Sequence, residues 1–408
     1  MVWNYKDTLL VHIELSNLCN AACPLCPRYV NNSLRVNPEL DLGSVSLDDF
    51  KKWFPLDFVQ KSKGWIFCGT NGDPMMARDV YEILEYVLRN SEAKVQVNTN
   101  GSIRDGEFWE KMGALFAEPC VNSRYVVFSV DGLEDTNHIY RRNVKWDRVM
   151  ENMGAYAKSG STGIWDFLIF KHNEHQLEEA EALCKKIGLA FSPKRPFGFE
   201  TGNPDEYQDL MVYDIDGNFL YKIEPASEEW RLNRAVNKFQ KGEEKIWIPG
   251  KEKKSQDEIK EKWDGLIERD LPKYKFPERF KGKSVSCKSC HPIGKEIYVD
   301  CKGNVMPCCF VGTMYNSDFQ HHEALQIKKH LQNWGLDKIN LNNHSLGEIL
   351  DSKYLDNVFA NRWDGAKKDE DKMGYCFNTC SVDHMKDLFV RKEELPISSE
   401  KPDIKSLI

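Results

Sequence analysis

Three cysteines stand close together near the start of the chain, at positions 19, 23 and 26. Thiolates are the usual protein ligands of iron–sulfur clusters, and the spacing C-x3-C-x2-C lets three thiolates reach one object. A cluster of four irons with three protein thiolates has one iron left open, and an open metal position normally binds a ligand. The triplet Cys19, Cys23 and Cys26 therefore predicts a [4Fe–4S] cluster with one free coordination position.

A zinc site is the alternative interpretation of the triplet. Zinc usually takes four Cys or His ligands, so a further residue would have to complete the set. His12 lies in the apolar run Thr8–Glu14 just before the triplet, and the sequence does not fix the direction of its side chain. We favour the cluster because the triplet directly follows a predicted strand of an alternating strand–helix series.

A second group of cysteines lies near the other end of the chain. Gly303 is predicted to lie in a turn between Ile297–Val299 and Val305, and a hairpin there would bring Cys290 and Cys308 together. The chain has 13 cysteines, a high and odd number. In a reducing compartment such usage indicates metal or redox chemistry rather than disulfides.

Composition and charge narrow the class of protein. The 408 residues are 41% hydrophobic and 29% charged, which is typical of a globular protein. The net charge of -7 is opposite to the positive charge that usually attracts nucleic acids, so we expect no nucleic-acid partner. No apolar run approaches the roughly 18–20 residues that span a bilayer, and no signal peptide is recognisable, so we expect a cytoplasmic protein without a membrane partner.

Short apolar runs alternate with helical stretches over the first half of the chain. Runs that end in polar or glycine-containing turns are typical of buried parallel strands. Six strands are predicted, at Thr8–Glu14, Trp65–Cys68, Lys94–Asn98, Tyr125–Val130, Trp165–Phe170 and about Leu189–Ser192. Six β-α units with right-handed crossovers predict an α/β fold, a partial (β/α)6 barrel. The triplet then lies at the carboxyl edge of the sheet, where functional loops gather.

The triplet after the first strand of a β-α series resembles the signature of the radical S-adenosylmethionine (SAM) superfamily. The resemblance covers about residues 8–195. It implies that SAM chelates the open iron through its amino and carboxylate groups. It also implies that an electron from a flavodoxin- or ferredoxin-type donor cleaves SAM to a 5′-deoxyadenosyl radical, which takes a hydrogen atom from the substrate. The residue before the third cysteine, often aromatic in this family, is Leu25 here.

Three strand ends resemble the SAM contacts of this family. The segment Gly69–Pro74, Gly-Thr-Asn-Gly-Asp-Pro, is similar to the family segment that binds the SAM amino group, with Asp in place of the more usual Glu. An ordinary turn or a surface charge is the alternative interpretation of each of these residues. The predicted cofactor-binding residues are Gly72, Asp73, Pro74, Asn98, Asn100, Ser129, Asp131 and Arg141, with Ser129 favoured for a ribose hydroxyl.

The C-terminal cysteines resemble those of SPASM or twitch auxiliary-cluster domains, in which a C-x(9–15)-G-x4-C segment precedes later cysteines. Gly303 and Cys308 fit the G-x4-C part. Because only two cysteines follow the long gap, we expect one auxiliary [4Fe–4S] cluster in a small cysteine-rich α+β domain. A four-thiolate zinc site and a cluster with an open iron for substrate are the alternatives. The predicted ligands are Cys290, Cys308, Cys376 and Cys380, with Cys287 as a competitor of Cys290.

These interpretations divide the chain into a radical SAM barrel (1–199), a bridging or substrate segment (200–286), an auxiliary-cluster domain (287–385) and a tail (386–408). Within the second part, a hairpin is predicted with its turn at Asp216-Gly217, and the charge-rich stretch Lys241–Lys283 is expected to be an exposed connector.

The expected function is that of a radical SAM oxidoreductase or maturase that oxidises a peptide or protein. A second cluster favours net oxidation because it can accept the electron of a substrate radical. The alternatives are a dehydrogenase or tailoring enzyme that acts on a small molecule or carbohydrate, and a non-catalytic iron–sulfur electron carrier.

Overall fold

Six parallel strands in sequence order form the larger part of the main sheet. The protein is described by a computed structural model over residues 3–196, 199, 207–230, 253–273, 284–285, 287, 290–291, 294–316, 321–363 and 372–380. Each strand pairs in parallel with the next, and the sheet is open. This confirms the predicted α/β fold. The strands are β1 (Thr8–Ile13), β2 (Gly64–Phe67), β3 (Lys94–Thr99), β4 (Arg124–Ser129), β5 (Gly163–Leu168) and β6 (Ala190–Lys194).

Helices connect these strands, and local sequence signals explain several of their boundaries. Ser46, whose residue type favours an N-cap, caps the first helix by accepting a hydrogen bond from the Asp49 amide. Asp147 has a residue type that also predicts an N-cap, and this prediction is wrong, because the helix begins at Trp146 and Lys145 is its N-cap. The helices are α1 (Leu47–Trp53), α2 (Leu56–Lys61), α3 (Val80–Asn90), α4 (Gly106–Phe116), α5 (Asn137–Tyr140), α6 (Trp146–Ala157) and α7 (Leu177–Ile187).

The C-terminal part of the chain extends the same sheet, which the sequence did not predict. Strands β9 (Cys290–His291), β10 (Gly294–Val299) and β11 (Val305–Met306) follow a separate hairpin of β7 (Leu210–Tyr213) and β8 (Phe219–Ile223). Strand β10 pairs in parallel with β1 and in antiparallel fashion with β9 and β11. The strand β1 therefore lies between a strand of the barrel and a strand of the C-terminal domain.

Both hairpins predicted from the sequence are present. Strands β7 and β8 pair across a turn in which Gly217 has a φ of 84°. In the second hairpin, Val299 pairs with Val305, and Gly303 has a φ of 86°. Only glycine adopts such a backbone conformation at little cost, which accounts for glycine at both turns.

Helices cover the remaining C-terminal part. Ser345 and Glu348 form a reciprocal capping box at the start of a short helix. The helices are α8 (Gln256–Asp270), α9 (Cys309–Asn316), α10 (His322–Trp334), α11 (Leu346–Asp351), α12 (Tyr354–Val358) and α13 (Gly374–Cys380).

The prediction of an exposed connector over Lys241–Lys283 is wrong for α8. Trp263 is buried in a small cluster with Leu266 and Leu325, and its indole donates a hydrogen bond to Glu39 (3.1 Å). The rest of that stretch, apart from 253–255 and 271–273, lies outside the described residues, as does the predicted tail 386–408. Among the described helices, none has the length and apolarity needed to cross a membrane.

Replacing Gly303 with alanine is expected to destabilise the protein. The new methyl group would lie 2.9 Å from Cζ2 of Trp53, and alanine would have to adopt the positive φ. We expect a loss of about 1–3 kcal/mol, visible as a lower melting temperature. Gly265→Ala in α8 is the matched control, because nothing lies within 4 Å of the added methyl group. An equal melting temperature for Gly303→Ala and wild type would contradict the prediction.

Candidate metal centre

The predicted cysteine triplet lies in the loop after β1, at the carboxyl edge of the sheet. Cys23 is buried, and Cys19 and Cys26 are half-buried. Backbone hydrogen bonds shape the loop: the amide of Ala22 donates to the carbonyl of Arg142 (2.9 Å), and the amide of Cys26 to that of Cys23 (3.3 Å). The positions of the three thiols are thus set by contacts within the protein.

The three thiols lie near enough to repel one another when they are charged. Burial raises the pKa of Cys19, and the charges of Asp73, Cys23 and Cys26 raise it further. Burial likewise raises the pKa of Cys26 to about 12. Metals bind the thiolate, so these groups need a positive centre that compensates three buried negative charges. The donor set fits an iron–sulfur cluster held by three protein ligands.

Two side chains donate hydrogen bonds to sulfur atoms of the triplet. The side-chain amide nitrogen of Asn100 lies 3.8 Å from Sγ of Cys19, and a guanidinium nitrogen of Arg141 lies 3.7 Å from Sγ of Cys23. Hydrogen bonds to sulfur stabilise the thiolate and tune the potential of a cluster. Asn100 and Arg141, which the sequence predicted as SAM contacts, are therefore placed against the triplet itself.

The geometry around the triplet does not support the zinc alternative. The Nε2 of His12 donates a hydrogen bond to the carbonyl of Cys68 (3.1 Å), and its ring packs against that of Tyr298 (5.3 Å). No three His, Cys, Asp or Glu side chains of the described residues converge on a position for a single ion. Thiolates of a four-iron cluster each bind a different iron, so they need not converge in this way.

The segment Gly69–Pro74 passes directly against the triplet loop. The amide of Asp73 donates to the carbonyl of Leu18 (2.9 Å). A methyl group added to Gly72 would lie 2.0 Å from the carbonyl oxygen of Ser16, and only glycine permits that approach. The sequence predicted that this segment and the triplet act together, and the structure brings them into contact.

Asp73 uses its carboxylate to join this segment to the end of β3. It accepts hydrogen bonds from the hydroxyl of Thr99 (3.0 Å) and from the amides of Asn100 (2.8 Å) and Met75 (3.0 Å). Asp73 is buried, and burial raises its pKa while these three donors lower it. Its acceptor capacity thus serves contacts within the protein, a role that the sequence did not indicate.

Glu14 belongs to the same region and was missed from the sequence. One carboxylate oxygen accepts from the amide of Asn71 (2.6 Å), and the other from the hydroxyls of Tyr298 (3.0 Å) and Thr70 (3.3 Å). Burial raises the pKa of Glu14 from 4.5 to about 7. A carboxylate at the last position of an apolar strand was the available signal, but its partners are distant in sequence.

At the end of β4, Asp131 and Arg141 form a buried ion pair. Asp131 also accepts a hydrogen bond from the amide of Leu168 (2.7 Å). Burial raises the pKa of Asp131, and Arg141 partly offsets that rise. The pair aims the guanidinium at Cys23, so Asp131 acts on the triplet through Arg141.

Two further predicted SAM contacts, Asn98 and Ser129, share one face of the sheet. Ser129 ends β4, and Asn98 in β3 pairs with Val127, two residues before Ser129. Because side chains alternate along a strand, Asn98 and Ser129 point to the same side. Asn98 accepts a hydrogen bond from Gln96 (2.7 Å). Pro74 opens a short 3-10 turn that follows Asp73.

Three of the predicted auxiliary ligands come together. Burial and the nearby charges of Cys309, Cys376 and Cys380 raise the pKa of Cys308. Cys376 and Cys380 lie one helical turn apart in α13 and share one side of the helix. Cys309 also interacts with Glu296 and Cys68, so its surroundings differ from those of the other three.

The fourth auxiliary ligand stays a prediction. The backbone of Cys290 pairs with Lys295, and Met306, two residues before Cys308, pairs with Tyr298 on the same strand. The register thus brings the backbones near Cys290 and Cys308 to one edge of β10. Cys287 is half-buried and packs against the hydrophobic core. Cys287 and Cys290 are the two candidates.

The fold and these two cysteine groups define an iron–sulfur protein of the α/β class. A model of the radical SAM superfamily matches residues 13–187, and a model of an iron–sulfur cluster-binding domain, SPASM, matches residues 287–381. The chain belongs to the radical SAM superfamily and carries a SPASM domain. Its cofactors are therefore [4Fe–4S] clusters and SAM.

Individual relatives share only part of the sequence. The AdoMet-dependent heme synthase of Nitratidesulfovibrio vulgaris is 25% identical over 217 residues, which are 52% of this chain and 55% of that protein. The chain thus spans about half the length of this curated relative. SuiB of Streptococcus suis bound to S-adenosylmethionine is 14% identical, with 74% of this chain and 60% of that chain covered and a TM-score of 0.42. Native anSMEcpe with bound AdoMet is 14% identical, with 86% and 82% covered and a TM-score of 0.45.

The buried carboxyl of Glu14 is expected to make stability depend on pH. Between pH 4.5 and about 7 the folded protein keeps a proton that the unfolded chain has lost, so rising pH destabilises the fold. Glu14→Gln removes this contribution, which amounts to about 3 kcal/mol at most. We expect the melting temperature of the wild type, relative to that of Glu14→Gln, to fall from pH 5 to pH 7.5.

The exposed Glu107 in the first turn of α4 offers a matched control for the loss of one carboxylate. Glu107→Gln should change the melting temperature by a similar small amount at every pH. A constant difference between wild type and Glu14→Gln over this pH range would contradict the assignment.

Proposed function

We propose that this radical SAM enzyme is an oxidoreductase that oxidatively modifies a peptide or protein substrate. The observation that carries the proposal is the position of the triplet Cys19, Cys23 and Cys26. It lies at the carboxyl edge of the sheet, in contact with Gly69–Pro74, in the loop that follows a strand paired with the C-terminal hairpin.

Within this proposal Cys19, Cys23 and Cys26 hold the first cluster, and Asn100 and Arg141 donate to two of its sulfur ligands. When bound there, the cluster and SAM supply a 5′-deoxyadenosyl radical that removes a hydrogen atom from the substrate. The electron comes from a reducing donor of the flavodoxin or ferredoxin type.

The residues near the triplet have distinct proposed roles toward SAM. The backbone of Gly69–Pro74 receives the amino group, since its glycines allow close approach and Asp73 fixes its position. Ser129 and Asn98 lie on one face of the sheet and are proposed to reach the ribose and methionyl groups. Asp131 orients Arg141 beside the cluster.

The second cluster is proposed to be bound by Cys308, Cys376 and Cys380 together with Cys290 or Cys287. The mutual charge effects of the first three thiols support this set. A second cluster can accept an electron from a substrate radical, and this favours net oxidation over isomerisation.

A cavity between the parts of the chain supports a large, polar substrate. It has a volume of about 640 Å³. Its wall includes Glu14 and Asn17 of the barrel, residues of α8, and Asp300 and Lys328 of the C-terminal domain. Side chains of both charges line it, which suits the backbone and side chains of a peptide. The contribution of α8 supports a substrate role for the bridging segment.

A small-molecule substrate is the second candidate. The curated relative that shares 25% identity is named a heme synthase, and this supports a substrate of the tetrapyrrole kind within the small-molecule alternative. Stimulation of 5′-deoxyadenosine formation by a porphyrin, and not by any peptide tested, would support the small-molecule alternative.

Replacing Cys19, Cys23 and Cys26 by alanine is expected to abolish SAM cleavage. The experiment is anaerobic reconstitution with SAM and dithionite, with 5′-deoxyadenosine measured by mass spectrometry. Cys120→Ala is the matched control, because Cys120 lies beside Glu92, outside both cysteine groups. Cleavage by the triple variant would contradict the proposed ligands. Intact clusters in a wild type that forms no 5′-deoxyadenosine would support the electron-carrier alternative.

The iron content should separate the two clusters. Two four-iron clusters give about eight irons per chain. We expect about four in the triple variant and about four in the double variant Cys376→Ala/Cys380→Ala, with iron and sulfide measured after reconstitution. A wild-type content of about four, or a double variant that keeps about eight, would contradict the auxiliary cluster proposed here.

A further inference from the structure

A buried hydrogen-bond network joins three distant parts of the chain beside the SAM segment. Its centre is Glu14, the residue after β1. Its donors are Thr70 and Asn71 of the segment Gly69–Pro74, and Tyr298 of β10 in the SPASM domain. Tyr298 and Glu14 are 284 residues apart in sequence. The hydroxyls of Thr70 and Tyr298 also lie 2.9 Å from each other.

The carboxylate of Glu14 depends on these donors. Among the described residues, no Lys, Arg or His forms an ion pair with it, and the negative charge of Asp300 adds to the rise of its pKa. A buried polar group that loses a hydrogen-bond partner costs free energy of folding. The network therefore holds Thr70 and Asn71 in place with respect to β1.

The position of the Tyr298 hydroxyl is set by the SPASM domain. Its backbone pairs with His12 of β1, and its ring packs edge-on against the ring of His12 at 5.3 Å. On the other side α9 approaches so closely that a methyl group on Gly312 would lie 2.2 Å from Cε1 of the tyrosine. The ring of Tyr298 is therefore held between β1 and α9, with its hydroxyl directed at Glu14 and Thr70.

The SAM segment has equally little freedom on its other side. A methyl group on Gly72 would meet the backbone of Ser16 and Asn17, and Asp73 binds the end of β3. A displacement of Thr70 or Asn71 would therefore be passed on to Gly72, where the proposed contact with SAM lies.

We propose that Glu14 and Tyr298 form a positioning pair through which the SPASM domain fixes the segment Gly69–Pro74 and thereby strengthens SAM binding. The role of that segment toward SAM rests on the function proposed above. The SPASM domain thus contributes to the first cofactor site through one tyrosine hydroxyl, in addition to its own cluster.

The test compares wild type, Tyr298→Phe, Glu14→Gln and the double variant, all with both clusters reconstituted. Tyr298→Phe keeps the ring and its packing and removes the hydroxyl donor. We expect the dissociation constant of SAM to rise about five-fold, the effect of one lost hydrogen bond. In the double variant the dissociation constant of SAM should rise by less than the product of the two single-variant increases, because both substitutions break the same network.

A second readout does not depend on SAM or on activity. Hydrogen–deuterium exchange of a peptide spanning residues 70–76 should be faster in Tyr298→Phe and Glu14→Gln than in wild type, without added SAM. Tyr354→Phe is the matched control, because Tyr354 is also a buried tyrosine of the C-terminal domain, and its hydroxyl donates to the carbonyl of Val305. It should leave both the exchange of this peptide and the dissociation constant unchanged.

The outcomes separate this inference from the proposed function. Unchanged exchange and unchanged SAM affinity in Tyr298→Phe would overturn the positioning pair while leaving radical SAM chemistry intact. Faster exchange in a protein whose wild type does not bind SAM would support the structural coupling and contradict the proposed role of the segment. Multiplicative effects in the double variant would show that Glu14 and Tyr298 act independently, which would also overturn the inference.

Discussion

The parallel pairing of β1 on both of its edges is the constraint on which the rest of the structure depends. One edge is bonded to β2 and the other to β10, which arrives from the far end of the chain. The triplet loop leaves the end of this doubly bonded strand, so its starting point is fixed from both sides. A strand at the edge of the sheet would hold the same loop with only half of these bonds.

Around this strand the protein buries acidic groups that it satisfies mostly with uncharged donors. Glu14 and Asp73 accept hydrogen bonds from backbone amides and hydroxyls, whereas Asp131 is paired with Arg141. Directional donors fix an oxygen atom more exactly than a mobile cation does, and here each carboxylate ties together segments from two or more strands. They follow β1, β2 and β4, and each accepts a hydrogen bond from the end of the neighbouring strand or from the loop after it.

Features of the fold and the site that depend on neighbouring residues could be predicted from the sequence, whereas contacts between residues far apart in the sequence could not. The six strands, the triplet, and the turn at Gly303 follow from periodicity, spacing and backbone preference, which are local properties. The pairing of β10 with β1 is a contact between residues almost 300 positions apart, and no local pattern records it. The use of Asp73 within the protein has the same cause, since its partners Thr99 and Asn100 lie on the next strand. The burial of Trp263 in α8 was hidden by the many charges around it.

The hairpin of β10 and β11 links the two cysteine groups through very few residues. Tyr298 stands on one arm and reaches the network at the triplet loop, while the other arm leads to Cys308 at the start of α9. The turn between the arms is closed by Gly303, where an added methyl group would meet the ring of Trp53 of α1. Met306 pairs with Tyr298, and Cys308 follows Met306 by two residues, so the hairpin also determines where Cys308 lies relative to the tyrosine. A shift of this hairpin along β1 would therefore move the SAM segment and the second cysteine group together, so that the spacing between the two proposed clusters is a property of one strand register.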